Sequence, residues 1–183
     1  MIDEQVDQLD YFTDADLADA ANLPVGPRYI GYVSKVDTSQ AEPGKFRVLD
    51  PETIRKSAKL QKALAGRTEV PQVDVDITAL GVVGQGVFPP ETNYYKTSSQ
   101  SFWTGVPDGR GRNMLRRLIE QVAGVPQEEL RTTPFLVLAH KLEKAYVTFE
   151  VKHRTYATSG GEGTAQDFIK IKPASIEEIE AVQ

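Results

Sequence analysis

Cations and flat aromatic rings share the strands near the end of this 183-residue chain. Residues 146–156 read YVTFEVKHRTY and residues 167–173 read DFIKIKP. Strand alternation places Lys152 and Arg154 on one face of the first, and Lys170 and Lys172 on one face of the second. Paired antiparallel, these four side chains would form one basic patch. A sequence-neutral grip on a single nucleic-acid strand needs cations to neutralise phosphates and rings on which bases stack. Candidate rings are Tyr32, Trp103 and Tyr156, with Tyr29, Phe102 and Tyr146 behind them. Phe102 and Trp103 are adjacent on a short strand and face opposite ways; Trp103 is expected to be the exposed one. Arg110 and Arg112 sit on a turn-forming stretch, PDGRG at 107–111, from which they can close over a strand. Lys35, Arg47 and Lys96 complete the basic candidates. The competing reading of the four strand cations is an ordinary solvated sheet face.

Enzyme chemistry is less well supplied. The two histidines, His140 and His153, lack a partner at metal-ligand spacing. Asp74 and Asp76 share a strand face and would need a third carboxylate to hold magnesium. The glycines at 81–86 and 160–163 lack the lysine and the strand-to-helix context of a phosphate-binding loop. No elbow motif presents a serine nucleophile. The chain is read as non-catalytic, with no metal and no cofactor.

Composition bounds the partners. With no cysteine, disulfide scaffolds, thiolate catalysis and cysteine-zinc sites are excluded. No leading apolar run and no membrane-length stretch stand out, so a soluble, cytoplasmic protein without membrane contact is expected. The formal charge of −5 argues against nucleic acid until its distribution is considered. Residues 1–19 hold seven acids and no base, and Glu177, Glu178 and Glu180 add three acids at the other end. Residues 20–176 hold sixteen acids against twenty-one lysines and arginines, a net of +5.

The elements that must position these groups follow from periodicity. Residues 1–23 form an acidic arm, and Pro24 and Pro27 mark the edge of a domain spanning 24–174. Residues 28–36 alternate as a first strand, with Gly31 suggesting a bulge. Asp50 caps and Pro51 opens a helical insertion at 51–65. Residues 70–83 alternate as a strand with one wet face. Residues 87–100 are expected to be a long loop, and 101–105 a short strand. Asn113 caps a helix with the stripe Met114, Leu115, Leu118, Ile119 and Val122, stopped by Gly124. A second helix is expected from Thr133 to about Ala145. Two strands joined by a flexible glycine loop close the domain, and Ser175 with Glu178 predicts a capping box in the acidic tail 175–183.

This order, with NMLRRLIEQVAGV at 113–125, AYVTFEVKHRTY at 145–156 and FIKIKP at 168–173, resembles small bacteriophage proteins of single-stranded-DNA-binding type. Those proteins are associated with replication and recombination genes. Asn113 matches the residue opening the family's helix, Gly124 the one ending it, and Ile171, Lys172 and Pro173 the end of its last strand. The resemblance covers roughly residues 28–50 and 70–174. The insertion at 51–65, the stretch 84–100 and Ala145, where a glycine is usual, depart from it. What it implies is an α+β protein that is mainly β with helices. Its core would be an OB-like small β-barrel, with an inserted helix and one or two helices before the closing hairpin. The expected partner is single-stranded DNA, held at Tyr32, Trp103, Arg110, Arg112, Lys152, Arg154, Tyr156, Lys170 and Lys172. Replication or recombination proteins would be reached through the acidic arm, and edge strands would permit a homo-oligomer. The alternative is a structural or assembly protein that uses the domain for protein contacts.

Overall fold

The computed structural model describes residues 20–106 and 109–183. The expectations for residues 1–19 therefore lie outside the described residues. Strand β1 (Arg28–Asp37) is central. It pairs antiparallel with β4 (Gln72–Val82) on one side and with β7 (Tyr146–Thr158) on the other. Strand β7 pairs with β8 (Gly161–Pro173), while β4 carries β5 (Gly86–Val87) and β6 (Thr97–Trp103) along its other edge. The insertion supplies a small ribbon of β2 (Arg47–Val48) and β3 (Glu69–Val70) around two short helices, α1 (Pro51–Arg55) and α2 (Ala58–Leu64). Between β6 and β7 lie α3 (Arg110–Val122), α4 (Gln127–Thr132) and α5 (Phe135–His140); α6 (Ile176–Glu180) follows β8.

Alternation decides the layers. Tyr29, Val33 and Val36 of β1, Val73, Val75 and Ile77 of β4, and Val147, Phe149 and Val151 of β7 turn inward. There they meet Leu115, Leu118 and Ile119 of α3, and Leu138 of α5. Phe149 and Phe168 stack with centroids 4.2 Å apart, so the last two strands are locked through rings at the centre of the core. The bulge expected at Gly31 is present, between Ile30 and Gly31, and a second, unexpected one lies between Val33 and Lys35. A side chain at Gly31 would run into the Thr78 carbonyl, so the tight approach of β1 to β4 requires glycine there. The second bulge turns Val36 into the core and Lys35 to solvent, reversing the simple alternation of residues 35 and 36.

The expectation of a barrel is overturned. Closure would need β6 to pair with β8. These strands touch through the Ser98 hydroxyl, which donates to the Gln166 carbonyl at 3.2 Å, and no backbone ladder joins them among the described residues. The Gln166 side chain is committed elsewhere: its Oε1 accepts from the Leu23 amide at 2.8 Å, and its amide donates to the Tyr95 carbonyl. Farther along, α3 packs across both strands. The protein is thus an α+β fold on an open antiparallel sheet.

The second helix, expected from Thr133 to about Ala145, runs only from Phe135 to His140, and four other local expectations also change. The insertion is two helices, each with its own cap: Asp50 accepts from the Thr53 amide and Ser57 from the Leu60 amide. Helix α3 starts at Arg110, one turn before Asn113, with Gly109 in the left-handed region as its cap. Of the stretch 87–100, Val87 belongs to β5 and only residues 88–96 lie outside the strands, because β6 begins at Thr97. The glycine loop after Thr158 is largely strand: β8 begins at Gly161, and Tyr156 faces Gly163 across the ladder.

A candidate groove at the open seam

Where β6 and β8 fail to pair, a cleft of about 410 Å³ opens between them, with α3 along one wall. Phe102 comes from β6, residues 168–171 from β8, and Met114, Arg117, Leu118 and Gln121 from the helix. An adjoining cleft of about 250 Å³ continues along β6 past Trp103, between α3 and Ala63 of α2. The two share Gln100, Phe102 and Met114, so they form one groove.

Helical geometry explains what the groove presents. Arg110, Met114, Arg117 and Gln121 follow each other at spacings of four, three and four, so they share one stripe of α3. From Arg110 to Arg117 is about 10 Å along the axis, at 1.5 Å per residue. Gly111 makes this approach feasible: a side chain there would collide with the Trp103 backbone carbonyl. Met114 is 50% exposed on the groove wall. Opposite, Lys170 occupies the bulge between the pairs Thr148–Lys172 and Glu150–Ile169. Its φ of 52° is left-handed, a strained setting for a lysine. Its ammonium lies 2.8 Å from Glu150, with both side chains substantially exposed. Lys59 stands one turn before Ala63 on the outer part of the insertion wall.

The predicted residues fall into separate groups. Trp103, Arg110 and Lys170 lie along the groove. Trp103 is half-buried rather than exposed: its ring packs against the small core of Leu49, Leu64, Val70 and Val106, and its indole N–H donates to Gln72 Oε1 at 3.0 Å. Arg112 turns to the other side of α3, its guanidinium 4.6 Å from the Phe135 ring centre. The four strand cations do not make one patch. Lys152 is opposite Asp167 and Arg154 opposite Ala165, whereas Lys172 is opposite Thr148, about four residues farther along the ribbon. The Asp167 carboxylate accepts from Arg154 Nε at 3.1 Å and, through hydrogen bonding and its charge, raises the Arg154 pKa further. Tyr32 leans on Tyr146 at 6.4 Å, and Tyr156 covers Gly163.

The outward face of β1, β4 and β6 suits phosphate poorly. Asp74 and Asp76 lie there; Asp74 accepts from Gln72 Nε2 and from the Ser101 hydroxyl. Ser34, Thr78 and Thr97 are joined by two hydroxyl hydrogen bonds, both 2.9 Å long. Arg117 is not among the candidates read from the sequence, which missed that it shares a face with Arg110 and Met114. The four–three–four spacing was the signal available.

One constellation with catalytic geometry emerged. The Thr38 hydroxyl lies 3.0 Å from His140 Nε2, and His140 Nδ1 lies 3.0 Å from Glu143 Oε1. The hydrogen bond from His140 is the main reason the Glu143 carboxyl is held below its ordinary pKa. This chain of three is exposed and ties the end of β1 to the turn after α5. His153 places Nε2 at 2.8 Å from the Leu23 carbonyl. Among the described residues no group of three or more histidine, aspartate or glutamate side chains is placed to hold a metal ion, and no helix is long and apolar enough to cross a membrane.

Compared with known proteins, the chain matches no family model, no curated protein and no solved structure. With an open sheet in place of the expected barrel, the resemblance to phage single-stranded-DNA-binding proteins is withdrawn, and the OB-type, phage and replication assignments with it.

Proposed function

We propose that the protein is a non-catalytic binding module that holds an extended single strand of nucleic acid in the seam groove. The observation that carries the reading is the alignment of Arg110, Met114 and Arg117 on one stripe of α3, facing Phe102 and the strained Lys170 across an apolar floor. Arg117 on the helix wall neutralises phosphate, Lys170 on the facing wall does so by exchanging Glu150 for it, and the apolar surface between them receives bases irrespective of sequence. Lys170 adds a second line of support: a lysine held in a left-handed bulge costs on the order of 1–3 kcal/mol, a cost that persists where the placement is used.

The test is binding of a fluorescent oligothymidine to the full chain at about 50 mM and about 200 mM salt. Expected is affinity that falls steeply with salt. Lys170→Gly relieves the backbone, so it leaves stability unchanged or raised by up to about 1 kcal/mol. Its affinity falls about fivefold, with a salt slope lower by about 0.7. No binding at the lower salt sinks the reading.

A second reading has its own observation. Internal ion pairs cancel Arg154 and Lys170, which suits a surface that meets proteins. In that case the groove would take an extended apolar peptide, and binding would be indifferent to oligothymidine.

A further inference from the structure

The β1–β7 ladder ends at Arg28–Glu150, yet β7 and β8 remain paired as far as Thr158–Gly161. Residues 152–158 are all exposed, so the tip of the hairpin is a two-stranded ribbon projecting past the sheet. An isolated two-stranded ribbon is marginally stable in water. Among the described residues, this one also lacks the usual guards of a free edge. Its strands are thirteen residues each, with no proline before Pro173 at the end of β8. Its charges cancel internally: Lys152 is opposite Asp167, Arg154 bonds to Asp167, and Glu162 supplies the remaining acid. Natural edges are shortened, charged or bulged to prevent pairing with another chain. Along 155–158 the edge of β7 carries threonine, tyrosine, alanine and threonine.

We propose that this edge is a self-association surface, and that its occupant is the same edge of a second copy of this chain. Antiparallel pairing of β7 with itself about a two-fold axis at Thr155 is self-complementary. Arg154 of one copy falls opposite Tyr156 of the other, a cation–π pairing on one face. Lys152 falls opposite Thr158 and His153 opposite Ala157, so no like charges oppose each other. Tyr156 lies over Gly163 and leaves 45% of its surface exposed. Isologous contact closes on itself, so the product is a dimer with a continuous four-stranded ribbon, and each seam groove remains open. The inference stands apart from the nucleic-acid reading, since it concerns a different surface and needs no ligand.

Light scattering on a sizing column tests it with the full chain at about 100 µM, where a micromolar self-affinity would fill the dimer. Twice the monomer mass is expected. Thr155→Lys and Thr155→Glu each bring like charges together at the two-fold axis, so each alone runs as a monomer. Their equimolar mixture regains the doubled mass. Hydrogen exchange on the unaltered protein gives an independent readout: amide protection over residues 152–158 rises with concentration. A monomer at about 100 µM overturns the proposal. So does a Thr155→Lys protein that stays dimeric, or exchange over 152–158 that ignores concentration.

Discussion

The seam groove and the projecting ribbon carry the same kinds of residue and treat them in opposite ways. In the ribbon Arg154 bonds to Asp167 across the ladder, and Lys152 stands at the register position opposite the same carboxylate. Along the groove, Arg117 stands on a helix whose neighbours across the gap are Phe102, Phe168 and Ile171. A helix wall sets its cations against an apolar floor, whereas a ladder sets each residue against a partner at fixed register. A cation's availability is thus decided by what the fold puts opposite it, more than by its place in the sequence.

That contrast is open to attack. The largest effect is expected from Phe168→Ala, because the ring is buried, stacks on Phe149 and floors the groove at the base of the ribbon. Chemical denaturation should show a loss of about 3–5 kcal/mol. A loss below about 1 kcal/mol would mean that the two regions do not share this core.

Next comes a matched pair on the two sides of the comparison. Arg117→Ala is expected to weaken oligothymidine binding about fivefold and lower its salt slope by about 0.7. Arg154→Ala, already paired with Asp167, should change binding by less than about twofold. Equal losses would erase the distinction between groove and ribbon.

The smallest effect concerns acid. Asp37 is held below its ordinary pKa by hydrogen bonds from the Ser39 side chain and backbone, and Glu143 mainly by its bond with His140. A carboxylate with a depressed folded pKa contributes stability that is complete above its unfolded value, near 4. That contribution disappears as pH falls through the lower folded value. Thermal scans from about pH 7 to about pH 3 should therefore show Tm falling only at the acid end, and Asp37→Asn should flatten that fall. Neither residue belongs to the groove or the ribbon, so salt-dependent binding measured near neutrality should be unaffected by the variant.

Much of the frame was legible in the residues. Asp50 before Pro51 and Ser175 before Glu178 are local signals, and both caps form, the second as a full capping box. The alternation of residues 72–77 marks a half-wet strand, and β4 is one. What escaped depends on contacts distant in sequence. The open seam is crossed by the Gln166 side chain binding Leu23 and Tyr95, more than seventy residues away in each case. The single patch of four cations failed because a bulge at Lys170 shifts the register, and a bulge leaves no mark in an alternating string such as FIKIK. The glycine-rich tip reads as loop by composition, yet Tyr156 lying across Gly163 fills the room a missing side chain leaves. The Arg110–Arg117 stripe was accessible by counting, but only an open seam gives it anything to face.

Trp103 has a practical consequence. It is the sole indole in the chain, and it rests at the joint where the insertion's small core meets the end of β6. Intrinsic emission should therefore act as a proximity gauge for that joint, changing when residues 47–70 lift away even while the main sheet stays intact. Undocking of the smaller unit could then be watched optically, without attaching a dye.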